Sequence, residues 1–119
     1  MEREYNTKLL RIFVAEADKV NGNPLYEEVV FAAKNAGISG ATVLRGIMGY
    51  GADSIVHSTK FLELSSDLPL VIEVIDNEEK ISNFIPRVEA LFEKAKSGGL
   101  ITLEKVEVLR YRSGNNKEN

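Results

Sequence analysis

Three short stretches hold the residue types from which a site is most readily built. Gly46-Ile47-Met48-Gly49-Tyr50-Gly51 carries its glycines in the order G-x-x-G-x-G. That order reverses the dinucleotide fingerprint, and no clear helix follows to offer its amino end to a pyrophosphate. A strand end with a bulge and turn accounts for it at least as well. Ser97-Gly98-Gly99 reads either as a helix carboxyl cap or as a turn whose N–H groups cup an anion. An anion there faces the negative end of a helix, so it requires cations close by. Arg110 and Arg112 are a candidate pair. Alternating along the last expected strand, they stand roughly 7 Å apart on one face, and guanidinium groups bind phosphate oxygens through paired hydrogen bonds. A solvated strand end accounts for them equally.

Side-chain catalysis has less to work with. His57 is the single histidine, with Asp53, Ser54 and Ser58 close by in the chain. Triad members meet in space from a rigid scaffold, so residues this close on one loop read as solvated loop polars. No carboxylate cluster has metal-ligand spacing, and without cysteine there is no disulfide or thiolate site. A net charge of −3 over 119 residues argues against broad nucleic-acid binding, although 105–117 could form a local cationic patch. No apolar run approaches the roughly 20 residues that span a bilayer, and Met1-Glu2-Arg3-Glu4 lacks a signal-peptide pattern. A cytoplasmic protein without membrane insertion is expected.

The elements that must position these residues follow from periodicity. Thr7–Ala15 alternates as a strand, with Leu10, Ile12 and Val14 on one face and Leu9, Arg11 and Phe13 on the other. After a polar turn, Asn23 is placed to cap a helix with Pro24 at its first position, an apolar stripe from Leu25 to Ala36, and Gly37 as its stop. A second strand is expected over Ala41–Met48, then a long connection, 51–67, of the kind that is usually functional or mobile. It holds Ile55, Val56, Phe61, Leu62 and Leu64, so it is no simple polar linker. Pro69–Ile75 is the third strand. Asp76, with Glu79 in capping-box spacing, opens a second helix that keeps one apolar phase across Pro86 and bends there. A last strand spans Leu100–Tyr111, and 113–119 reads as a disordered polar tail after a single domain over 1–112.

Two βαβ halves on either side of a long loop predict an α+β, ferredoxin-like βαββαβ sandwich: a four-stranded antiparallel sheet with both helices on one face. The helices should meet Leu10, Ile12, Val14, Leu70, Ile72, Val74, Val106 and Val108. The other face would carry Leu9, Arg11, Phe13, Val71, Glu73, Ile75, Leu103, Lys105, Glu107, Leu109 and Tyr111. That set is too apolar for water alone, and a homo-oligomer is expected, with Arg11 or Lys105 pairing Glu73 or Glu107.

Three stretches give the chain a more specific likeness. Ala41 through Gly51, Asp67-Leu68-Pro69-Leu70-Val71-Ile72-Glu73-Val74-Ile75-Asp76 and Gly98-Gly99-Leu100-Ile101-Thr102 resemble the PII-like signalling proteins, in particular an uncharacterised bacterial and archaeal family related to nitrogen-regulatory PII. The likeness covers about Thr7 to Arg112. It implies a homotrimer with open sheet faces turned inward, a mobile T-loop between the second and third strands, and adenine nucleotides in clefts between subunits. The implied contacts are Gly49, Tyr50, Gly51, Ser97, Gly98, Gly99, Leu100, Arg110 and Arg112, with Arg45 and Lys8 added for their charge. The chain departs from PII in three places. Its turn after the second helix lacks a lysine-bearing glycine-rich sequence, and Gly51 is followed by Ala52-Asp53 where PII has basic and polar residues; fewer cations would weaken triphosphate binding more than that of a diphosphate or monophosphate. No tyrosine lies inside the loop, so a uridylylation switch has no support.

The resulting expectation is a non-enzymatic sensor of ADP, AMP or ATP, with magnesium optional, whose loop 51–67 engages a partner protein. Acylphosphatases share the fold but need an arginine in the loop after the first strand, and Glu16–Gly22 offers only Lys19. An RNA-recognition module needs aromatics on the central strands, where Phe13 stands alone. A ligand-free trimeric scaffold is the remaining alternative.

Overall fold

The computed structural model describes residues 4–52, 55–59 and 67–114. Of the expected connection, 53–54 and 60–66, including Asp53, Ser54, Phe61, Leu62 and Leu64, lie outside the described residues, as do 115–119 of the expected tail and 1–3. The elements in chain order are β1 Glu4–Ala15, β2 Lys19–Val20, β3 Asn23–Pro24, α1 Leu25–Asn35, β4 Ala41–Arg45, β5 Met48–Gly49, β6 His57–Ser58, β7 Pro69–Asn77, α2 Glu78–Ala95 and β8 Leu100–Val108. The main sheet runs β4-β7-β1-β8 and every pairing in it is antiparallel. With α1 and α2 on one side, this is the ferredoxin-like sandwich that the two βαβ halves predict.

Alternation explains why the helices cover only one face. Leu10, Ile12 and Val14 of β1 and Leu70, Ile72 and Val74 of β7 are buried against Leu25, Val29 and Ala33 of α1 and Ile81, Phe84, Val88 and Phe92 of α2. α2 is a single helix with Pro86 inside it. Its first turn is capped by Asn77, whose side chain accepts from Lys80 N–H at 2.9 Å, and not by Asp76. Asp76 is taken by other work: it accepts from the Ser39 N–H at 2.9 Å. Asn23 does not cap α1 either. It pairs with Val20 in a small hairpin turned by Asn21 and Gly22, whose φ values of 51° and 85° suit a tight Asn-Gly turn.

Four further expectations are corrected by the structure. The second strand breaks at Gly46-Ile47, leaving β4 in the main sheet while β5 pairs with β6 as a separate ribbon at the loop's base. His57 and Ser58 lie in that ribbon, half-buried and buried, and are not solvated loop polars. The last strand ends at Val108, so Arg110 and Arg112 lie beyond it and do not alternate on a strand face. Finally, β8 presents the opposite face to that expected. Its register pairs Ile12 with Ile101 and Leu10 with Leu103, while Arg11 meets Thr102 and Leu9 meets Glu104. Cross-strand partners share a face, so Ile101, Leu103, Lys105 and Glu107 stand on the helix side, and Val106 and Val108 on the open side.

Arg11 organises the open face. Its Nε donates to Glu73 at 2.9 Å on β7, and Nη1 donates to Glu104 on β8. The bond to Glu73, more than the nearby charge of Glu104, holds the Arg11 pKa above its ordinary value. Around this bridge Leu44, Ile75 and Leu100 remain exposed at 48%, 40% and 55%.

The carboxyl end of α2 is a Schellman turn in which Lys96, at φ 56°, occupies the left-handed position, with Lys96 N–H to Glu93 O at 3.2 Å and Ser97 N–H to Phe92 O at 3.0 Å. Gly99 then crosses the Phe92 ring so closely that a Cβ would fall 2.2 Å from Cε2, whereas a Cβ on Gly98 meets nothing within 4 Å. Gly99→Ala should therefore destabilise the fold by about 1–3 kcal/mol, and Gly98→Ala by no more than about 0.5 kcal/mol, in urea unfolding. Equal losses in the two variants would refute the contact with Phe92.

Candidate functional site

The candidate residues divide between the two ends of the sheet. At one end β1 and β4 finish and β7 and β8 begin. Here Gly46 N–H donates to Pro69 O at 2.7 Å. A Cβ at Gly46 or Gly49 would sit 3.0 or 3.1 Å from Pro69 Cγ, so these two glycines serve a close approach to the strand that follows the loop. Beyond that contact the chain turns outward. Ile47, Met48 and Tyr50 are exposed at 75%, 61% and 71%, and a Cβ at Gly51 would meet open space. Arg45, at the end of β4, is ion-paired with Glu16 at the end of β1, which places its charge at the loop's root.

Ser97, Gly98, Gly99 and Leu100 lie at this same end but on the opposite edge of the sheet. Two strands separate them from the Gly49–Gly51 stretch, a distance of roughly 14 Å at the usual interstrand spacing. Their anion-binding capacity is already partly committed. Ser97 N–H is bonded within the Schellman turn, and Ser97 Oγ donates to Asp18 Oδ2 at 2.9 Å. Gly98 and Leu100 are exposed.

The other end holds the arginines. β8 spans nine residues, so Arg110 lies about 30 Å from Leu100 along the sheet. One chain therefore does not bring the arginines to its own glycine turns. The segment after β8 crosses the sheet end to the α1–β4 connection, where Tyr111 Oη donates to Ser39 O at 2.6 Å. Ser39 is itself fixed, its Oγ donating to Ile75 O at 2.9 Å. Between this crossing and the open face lies a cleft of about 620 Å³ whose lining includes Thr42, Glu73, Ile75, Arg110 and Tyr111. Its floor combines an apolar side chain with carboxylate and hydroxyl groups, a mixture suited to a flat heteroaromatic ring with polar edges. Arg112 is exposed just past Tyr111 and does not line the cleft. Lys8 does not line the cleft, although its strand partner Asp76 does; its partner on β8 is Lys105.

Sequence reasoning does not single out Ser39, Thr42 or Tyr111 as site residues. The Tyr111–Ser39 bond joins residues far apart in the chain, and no local pattern announces it. Glu73 and Ile75 are legible only as open-face positions. Among the described residues no group of three or more His, Asp or Glu is placed to hold a metal ion, and no helix is long and apolar enough to cross a membrane.

Comparison with known proteins gives a family. The DUF190 family model, described as "Uncharacterized ACR", matches residues 7–108, and the chain belongs to that family. A UPF0166 protein of Aquifex aeolicus is 45% identical over 107 residues, covering 90% of this chain and 97% of the relative. Another, from Methanocaldococcus jannaschii, is 41% identical over 96 residues, covering 81% and 85%. Among solved structures, CPII, a nitrogen regulatory PII-like protein from Thiomonas intermedia K12 bound to ADP, AMP and bicarbonate, superposes with a TM-score of 0.67 at 20% identity, over 87% of this chain and 89% of that one. A putative PII-like signaling protein from Thermus thermophilus gives 0.66 at 18% identity, over 92% and 94%. The fold is therefore PII-like.

Tyr111→Phe deletes the one bond that ties the crossing segment to Ser39. Tryptic cleavage after Arg110 and Arg112 should accelerate while global stability falls by no more than about 1 kcal/mol. Unchanged cleavage would mean that the segment is held by other contacts.

Proposed function

We propose that this DUF190 family member is a cytoplasmic regulatory sensor, not an enzyme, that binds an adenine nucleotide in clefts between the subunits of a homotrimer. The observation that carries the reading is the PII-like fold, shared with a protein whose solved structure holds ADP and AMP. Three features of this chain support it. The open sheet face leaves Leu44, Ile75 and Leu100 in water unless another copy covers them. The glycine turns and the arginines lie at opposite ends of one sheet, so a site using both must be completed by a neighbour. The cleft beside Arg110 has a lining suited to a purine, which leaves the phosphates to reach the neighbour's Gly49–Gly51 and Ser97–Leu100 turns.

Nucleotide occupancy then acts on the loop 51–67. A ligand shifts a loop between states only by binding one of them better, and the ribbon formed by β5 and β6 joins the loop directly to the Gly49–Gly51 turn. The loop's two states engage or release a partner protein.

Calorimetry with ATP, ADP, AMP and cyclic AMP, with and without magnesium, tests the reading, alongside sedimentation to measure the oligomer. Micromolar binding of at least one nucleotide to a trimer is expected. No binding at millimolar ligand would leave the ligand-free scaffold. Arg110→Ala with Arg112→Ala should weaken binding by about tenfold or more, the worth of a charge-assisted pair of hydrogen bonds. Unchanged affinity would remove both arginines from the site.

A further inference from the structure

An acid from the β1–α1 connection rests on the turn after α2, beside the proposed phosphate contacts. Ser97 Oγ donates to Asp18 Oδ2 at 2.9 Å, and the same carboxylate oxygen accepts from Ala15 N–H at 3.1 Å. The Asp18 main chain is fixed on both sides, its N–H donating to Ala15 O at 3.1 Å and its carbonyl accepting from Leu25 N–H at 2.8 Å. The carboxylate is thus built into the β1–α1 connection and is not a freely rotating surface group. It sits where the α2 dipole is already negative. The cations at this end do little to offset it. Arg45 is paired with Glu16, while Lys19, which follows Asp18, and Lys96, which precedes Ser97, are exposed to solvent that screens their charge. Asp67 adds a second carboxylate, bonded to Ala17 N–H at 2.9 Å.

We propose that Asp18, held on Ser97, is a specificity-determining residue that selects against added phosphate charge. The inference rests on the reading above that nucleotide phosphates meet this turn. The site then takes an adenosine monophosphate or diphosphate ahead of an uncomplexed triphosphate. For a further unit of negative charge roughly 6 Å from the carboxylate, at an effective dielectric of about 40–80, the penalty is roughly three- to tenfold in affinity. A divalent cation bound to the triphosphate cancels most of that penalty by neutralising the charge that Asp18 repels.

The test is calorimetry of AMP, ADP and ATP in EDTA, then of ATP in excess magnesium, on the wild-type protein and on Asp18→Asn. The amide keeps an oxygen that accepts from Ala15 N–H and the Ser97 hydroxyl, so the turn should persist, and a thermal melt checks it. In the wild type, free ATP should bind more weakly than ADP or AMP, and magnesium should recover most of the difference. In Asp18→Asn the ratio of ATP to AMP affinity in EDTA should rise roughly three- to tenfold. The wild-type magnesium comparison needs no variant and stands if Asp18→Asn fails to fold. Nucleotide binding with free ATP tightest in the wild type, or with the same ratio in both proteins, overturns the role of Asp18 and leaves the sensor reading intact. Absence of binding by every nucleotide to the wild type overturns both.

Discussion

Two helices are too few to clothe a four-stranded sheet on both sides. α1 and α2 are held to one face by the buried seam of Leu10, Ile12, Ile72 and Val74 beneath Phe84 and Val88. Once that seam is formed, period-2 alternation leaves Leu9, Arg11, Phe13, Val71, Glu73 and Ile75 on the other side. Everything else follows from how that second face is managed. Arg11 ties the central strand to both neighbours through Glu73 and Glu104, which keeps the face in register while Leu44, Ile75 and Leu100 stay exposed on it. Ionic pairs of this exposure add little stability, and their value lies in geometry.

The same layout separates the parts of the candidate site. Antiparallel pairing sends the loop base and the α2 turn to one end of the sheet and the chain's last described residues to the other. Each end is secured by a bond between distant segments: Asp18 with Ser97 at one, Tyr111 with Ser39 at the other. Neither end alone holds both the cleft and the glycine turns.

The fold is legible in the sequence because its two periods are clean. β1, β7 and the helix stripes each keep one phase, and Pro86 does not obscure the phase of α2. β8 misleads because it carries aliphatic residues in both phases, with Ile101 and Leu103 in one and Leu100, Val106 and Val108 in the other. Only the pairing with β1, with its irregularity between Glu4 and Thr7, chooses between them. Asp76 and Asn77 are adjacent and chemically alike as caps, so the claim of Ser39 on Asp76 decides which one serves α2. Lys96 hides the true helix stop because the glycines beside it are the more obvious candidates. At the site, glycine spacing points to the right turns, but it says nothing of Pro69 pressing on Gly46 and Gly49, nor of an acid resting on Ser97.

The β5–β6 ribbon is only two residues long on each strand. A stem so short contributes little free energy of its own, and the burial of Ser58 and the bond from Thr59 N–H to Ile47 O at 3.1 Å add to what holds it. Gly46 and Gly49, seated against Pro69, form a fixed fulcrum beneath it. The ribbon is thus mounted on a stiff base, and a change of one or two hydrogen bonds there is of the same order as the stem's own contribution. The rigidity of the sheet and the frailty of the ribbon are complementary properties, and the first gives the second something to turn against.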